Sequence, residues 1–159
     1  MKRLITVLIL FIFFSSCSNQ DEKRTFERTA VIYNGLQERK EEKFSANVTH
    51  GENLVYKYVS QIDSTKIVDI QFDKNLQELY FGPEQFIRSD RAGFIEEKLS
   101  DDLFYYYDSK EPVVDGTGPL LFNEEYGLLA IYNVFGPTII FLNDETIELK
   151  KRVLDSLNQ

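Results

Sequence analysis

A period of two governs much of this chain, and it predicts strands. In Ile67-Val68-Asp69-Ile70-Gln71-Phe72, Val68, Ile70 and Phe72 share one face while Asp69 and Gln71 take the other, the alternation of a sheet with one wet face. Phe26 to Tyr33 predicts a first strand ending at the turn pair Asn34-Gly35, and Leu54 to Val59 predicts another. Polar turns at Asp63-Ser64-Thr65 and Asp73-Lys74-Asn75 separate these segments from Leu79-Tyr80-Phe81. Together they read as an antiparallel meander. The charged stretch Leu36 to Phe44 fits either a short exposed helix or a second strand. Leu103 to Tyr107 returns to strand. Leu128 to Tyr132 and Thr138 to Leu142 are apolar without alternation, so both of their faces are expected to be covered, as in central strands.

Two segments carry helical signals instead. Gly82-Pro83 breaks the meander, and proline at a first helical position predicts a short helix over Glu84 to Arg88. Phe94, Ile95 and Leu99 follow at helical spacing. Near the end, Ile147, Leu149, Val153, Leu154 and Leu157 fall within a stripe of about 160° at roughly 100° per residue. Asn143 or Asp144 can cap that helix, and Asp144, Glu145 and Glu148 load its first turns with the charge its dipole favours. The expected fold class is therefore α+β: an antiparallel β-sheet with a C-terminal α-helix packed on it and a short helical insertion.

The first residues obey a different logic. Met1-Lys2-Arg3 is positive, Leu4 to Phe14 is uncharged and apolar, and Ser15-Ser16-Cys17 follows with the only cysteine of the chain. This is the three-part pattern of a secretory signal. As a helix the apolar run would cover roughly 16 Å of a hydrocarbon core about 30 Å thick, too little to span it. The box Phe14-Ser15-Ser16-Cys17 resembles the type II signal of bacterial lipoproteins, in the relaxed form similar to that of the Bacteroidota, with phenylalanine where leucine is usual. The resemblance covers about the first 22 residues and names no family for the rest. It implies cleavage before Cys17, a diacylglyceride on the sulfur and an acyl chain on the freed amine. More than one chain makes such attachment stable.

That resemblance divides the chain into a signal peptide (1–16), a lipidated cysteine with a polar tether (17–24) and one globular domain (25–159). Gln20-Asp21-Glu22 resembles the acidic surface-export signal of the same lipoproteins, so the implied place is the cell envelope, on the outer membrane and facing outward. The partner it implies is the membrane, reached through the N-terminal lipid.

Composition narrows the remaining choices. Loss of 16 of the 159 residues leaves one domain's worth of chain, and loss of Lys2 and Arg3 takes the balance to 16 basic against 26 acidic residues. Such a charge opposes binding to nucleic acid. With its cysteine acylated, the domain has no thiol for a disulfide, a metal or a nucleophile. Nine tyrosines and thirteen phenylalanines without tryptophan suit an aromatic-packed, β-rich core.

Chemistry-bearing motifs are sparse. His50 is the single histidine, in Asn47-Val48-Thr49-His50-Gly51-Glu52, and reads as a solvated loop residue. Gly116-Thr117-Gly118 begins like a dinucleotide loop, but Leu121 stands where the third glycine belongs. Asp115-Gly116 resembles the middle of an EF-hand loop, but Val113 occupies a ligand position. No cofactor or metal is expected. Glu96, Glu97, Asp101, Asp102 and Asp108 form the densest acidic cluster, which reads as a solvated face. Phe104-Tyr105-Tyr106-Tyr107 places Tyr105 and Tyr107 on one face of a strand and Phe104 and Tyr106 on the other. These rings are either buried under a neighbouring element or exposed as a platform, which makes Tyr105, Tyr106 and Tyr107 the candidate partner-binding residues. The function expected is a non-enzymatic binding or structural module anchored in the envelope, or an accessory subunit there. The alternative is a small envelope enzyme or inhibitor with a carboxylate-based site around Asp101, Asp102 and Asp108.

Overall fold

The computed structural model describes residues 22–143 and 147–158. The chain forms ten strands: β1 (Glu22–Asn34), β2 (Gln37–His50), β3 (Asn53–Ser60), β4 (Ile67–Asp73), β5 (Glu78–Phe81), β6 (Glu84–Arg88), β7 (Tyr105–Ser109), β8 (Thr117–Asn123), β9 (Gly127–Asn133) and β10 (Thr138–Leu142). One helix, α1 (Ile147–Leu157), follows. Each strand pairs antiparallel with its neighbour in sequence. The ring closes where β1 pairs with β10, from Thr29 opposite Leu142 to Tyr33 opposite Thr138. The fold is a closed up-and-down β-barrel, which corrects the α+β expectation. The meander is present as predicted, but it has no free edge, and α1 lies against the outer wall. Closure gives every strand two paired neighbours and removes the edges that an open sheet must protect.

Two further expectations are corrected. Glu84–Arg88 is strand β6 and not a helix. Gly82, at φ +57°, makes with Pro83 a two-residue hairpin connection, and glycine at the first central position matches a turn of the II′ type. Proline there serves the turn, and alternation puts Phe86 inside the barrel. Phe94, Ile95 and Leu99 do not form a helix either. Residues 89–104 are a long irregular connection tied down by paired backbone hydrogen bonds between Phe94 and Phe104. The segment left open, Leu36 to Phe44, belongs mainly to β2.

Two cores hold the barrel. The inner one is a chain of rings from Tyr107 through Phe72, Phe122, Tyr56, Tyr58 and Phe141 to Phe44, with successive centroids 4.8–6.5 Å apart. Edge-to-face and offset contacts of this kind add about 0.5–1.5 kcal/mol each beyond the area they bury. The outer core lies between the wall and α1, where Leu149, Val153, Leu154 and Leu157 cover Val31, Leu129, Ile140 and Leu142. That is why β9 and β10 show no alternation. A bulge shifts the register so that Leu129 and Ala130 both face outward between the inward Leu128 and Ile131. Ile147, assigned to the apolar stripe, is 84% exposed.

Elsewhere the wall turns charge outward. Glu41 and Lys43 on β2, Lys57 on β3 and Asp69 on β4 are exposed while their neighbours point in. A barrel that spans a bilayer has the reverse arrangement, apolar outside and polar within.

Candidate functional site

The barrel has two different ends. Short turns close one end, at 35–36, 61–66, 82–83, 110–116 and 134–137. The other end, where β1 enters, carries the long 89–104 connection and the β8–β9 turn, and it holds the most developed site among the described residues.

That site is built on the β8–β9 turn, which is clamped over the mouth. The Asn123 Oδ1 accepts from the N–H groups of Glu125 and Tyr126 at 2.7 and 2.9 Å, a side-chain cap of the sort asparagine favours in turns. Its Nδ2 donates to Ser100 Oγ and to the carbonyls of Asp102 and Leu103 at 3.0–3.3 Å, which ties the long connection to the turn. Three successive turn carbonyls are then satisfied from across the barrel. Glu124 accepts from the Tyr56 hydroxyl, Glu125 from Arg24 at 2.8 Å and Tyr126 from Arg28 at 3.4 Å. The Leu128 N–H donates to Tyr58 Oη at 2.9 Å. Arg28 is sandwiched between the rings of Phe26 and Tyr126, its Cζ 4.2 and 4.0 Å from their centroids.

Beside this clamp lies a pocket of about 270 Å³. Its wall is made by Arg88 from β6, Tyr105 and Tyr107 from β7 and Phe122 from β8, with Gln77, Asp102 and Glu124 reaching in from the connections. The Arg88 guanidinium sits over the Tyr105 ring, its Cζ 3.4 Å from the centroid. Gln77 takes φ +56°, the one non-glycine residue with positive φ among the described residues. Tyr107 is 2% exposed, and burial pushes its hydroxyl up to about 12. That hydroxyl has no hydrogen-bond partner among the described residues. The one fully enclosed polar side-chain atom left unpaired there is Arg28 Nε, so the phenol oxygen keeps contact with the pocket.

Of the residues singled out from the sequence, this site gathers Tyr105, Tyr107 and Asp102. Tyr106 points to the outer wall, 4% exposed, beneath the Arg91 guanidinium at 4.0 Å. The three tyrosines therefore do not make an exposed platform: pleating splits them between the two cores, and Arg88 covers the face that Tyr105 would offer. Asp101, Asp102 and Asp108 do not converge. Asp108 sits on β7 opposite Ile87, facing away from the pocket that Asp102 lines. Glu96, from the same acidic cluster, is buried and ion-paired with Arg152 at 2.5 Å. His50 ends β2 opposite Leu54 and does not lie in a loop. No group of three or more His, Cys, Asp or Glu side chains is placed to hold a metal among the described residues. Cys17 lies outside them. Arg88, Gln77 and Glu124 had no sequence signal except the alternation Phe86, Arg88, which becomes visible only once 84–88 is read as a strand.

A larger hollow of about 730 Å³ runs along the outer wall between β1, β2 and α1. It is a shallow groove whose lining includes Lys150, already paired with Glu41 at 2.6 Å and Glu38 at 3.4 Å. No protein-family model, curated protein or solved structure matches this chain.

Proposed function

We propose that the protein is a lipid-anchored envelope lipoprotein that works as a binding module and not as a catalyst. The observation that carries this reading is the short spacing in the sequence between Cys17, at the end of an apolar run, and the first strand of the barrel. Only four residues separate it from Glu22, where β1 begins. Fully extended, that tether spans about 15 Å, so an acylated Cys17 would hold a rigid barrel close to the bilayer with its clamped end nearest the lipid. The charged outer wall suits a domain that stands in water beside the membrane. The scattered carboxylates Asp101, Asp102 and Asp108 give the enzyme alternative no common site, whereas the mouth pocket gives a binder a defined one.

The test is a Cys17→Ala variant expressed beside the native chain, with fractionation and intact mass. The native chain is expected in the membrane fraction, shortened by 16 residues and heavier by its acyl groups; the variant is expected to lose both properties. A native chain that stays soluble with a free thiol overturns the reading.

A further inference from the structure

We propose that the mouth pocket binds a small α-amino acid as its zwitterion, the carboxylate held by Arg88 and Tyr107 and the ammonium by Asp102 and Glu124. For its biological role the proposal rests on the binding reading above; for its chemistry it does not depend on the lipid anchor.

The donors come first. Arg88 and Tyr107 are directly opposed in the β6–β7 ladder, so their side chains rise from the same face at the same level. Arg88 takes part in no ion pair among the described residues. Its contact with the Tyr105 ring positions the guanidinium, and its N–H groups make no hydrogen bond to the described residues, so they can meet a planar carboxylate. Tyr107 adds an O–H beside it. That hydroxyl opens onto a polar hollow from a side chain otherwise buried, and no described protein group accepts from it, so it can donate to a ligand oxygen in place of water. Two neighbouring donors with no protein acceptor suit an anionic oxygen pair.

The acids then select within the anions. Asp102 and Glu124 line the same pocket, and neither carboxylate takes part in an ion pair among the described residues. Their backbones are held, Asp102 through the hydrogen bond from Asn123 and Glu124 through the one from Tyr56. A dicarboxylate or phosphate would meet repulsion from both. A simple amine would leave Arg88 and Tyr107 unanswered. A sugar lacks a free ring to stack on, because Arg88 covers Tyr105 while Tyr107 and Phe122 pack edge to face with each other. The volume, near 270 Å³, lies below the range of about 300–1,000 Å³ that takes drug-sized ligands. A compact molecule carrying both charges fits each of these facts.

The experiment is calorimetric titration of the full-length protein in detergent with glycine, L-alanine and L-serine, with N-acetyl-alanine, alanine amide and glucose as comparators. At least one free amino acid is expected to bind saturably, and the two blocked alanines about tenfold or more weakly, the loss expected of one charged hydrogen-bonded contact. Tyr107→Phe removes only the hydroxyl and is expected to weaken binding about tenfold while the thermal midpoint stays level or rises. Arg88→Gln is expected to abolish binding. The proposal is overturned if the folded native protein binds none of the three amino acids. It is equally overturned if the blocked forms or glucose bind as well as the zwitterion, or if Tyr107→Phe binds like the native chain. A chain that reaches the membrane yet binds no amino acid overturns this proposal and leaves the anchor standing. A Cys17→Ala protein that is soluble and still binds leaves this proposal intact.

Discussion

The two ends of the barrel are sealed by opposite means. At the mouth, the seal is made of backbone: the carbonyls of Glu124, Glu125 and Tyr126 are met by Tyr56, Arg24 and Arg28, and Gly127 lies against the inner rings. At the turn end, the seal is a single inward carboxylate. Glu42, 4% exposed, accepts from Lys40 and from Ser60 Oγ, with Lys66 at 3.5 Å. The contrast teaches how a small barrel with an aromatic filling ends its core. A polar residue facing inward near a rim must find its partners locally, either in a neighbouring turn or in lysines that stretch over the edge. The backbone seal uses donors and carbonyl acceptors that do not titrate in acid, whereas the carboxylate seal depends on an ionised Glu42. The apolar tips also differ. Leu36, Ile62, Val113, Val114 and Phe135 stand exposed on the turn end, while the mouth end exposes Leu76, Ile95 and Leu103 beside its polar pocket.

The sharpest way to break the mouth seal is Gly127→Ala. The glycine sits at φ +91°, and a Cβ there would lie 2.5 Å from Tyr58 Oη and 2.8 Å from the Tyr56 ring. Backbone strain and overpacking together predict a loss of about 3 kcal/mol or more in chemical denaturation. A variant as stable as the native chain would show that the turn can lift away from the rings.

A smaller loss is expected from Tyr58→Phe, which leaves the buried Leu128 N–H without its acceptor, at a cost of about 1–3 kcal/mol. Tyr56→Phe should cost less, because Glu124 is exposed and water can replace the lost donor. Equal losses would mean that the two hydroxyls are not the separate seals described.

Glu42 sharpens the comparison through pH. Hydrogen bonds from Lys40 and Ser60 pull its carboxyl from the ordinary 4.5 to about 2, against the opposing effect of burial. A carboxyl lowered in the folded state stabilises above pH 4.5, and that contribution drains away as pH falls towards 2. Denaturation midpoints of the native chain should therefore fall through that window. Glu42→Gln should lower stability at neutral pH, flatten this part of the acid limb and converge with the native chain near pH 2. If the variant keeps the full acid dependence, the ion cluster is not what seals this end.

Much of the architecture was legible in local pattern. The strands over 26–33, 54–59, 67–72, 79–81, 128–132 and 138–142 follow from alternation or from apolar runs between turn residues, and the buried face of α1 follows from its spacing. Two local signals misled. Gly82-Pro83 is compatible with both a helix start and a tight hairpin, and only the pairing of Leu79 with Phe86 decides between them. Phe94, Ile95 and Leu99 have helical spacing, but Phe94 and Leu99 are placed by the outer core against which they pack. Of the mouth site, Tyr105, Tyr107 and Asp102 drew notice as aromatic and acidic clusters. Arg88 and Glu124 did not, since nothing in their immediate surroundings distinguishes them from the other charged residues of an acidic chain.

By itself the chain's order of residues settles most of the extended segments and turns, that the chain is rich in phenylalanine and tyrosine, and that its one cysteine follows an apolar run. These are local properties, written in neighbours two to four positions apart. Closure of the ring is a different kind of fact, because it joins Thr29 to Leu142 across more than a hundred residues and leaves no mark on either strand alone. The same holds for the pocket, whose donors and acids come from connections and strands between residues 77 and 124. Only the curvature of the closed sheet brings them to one mouth.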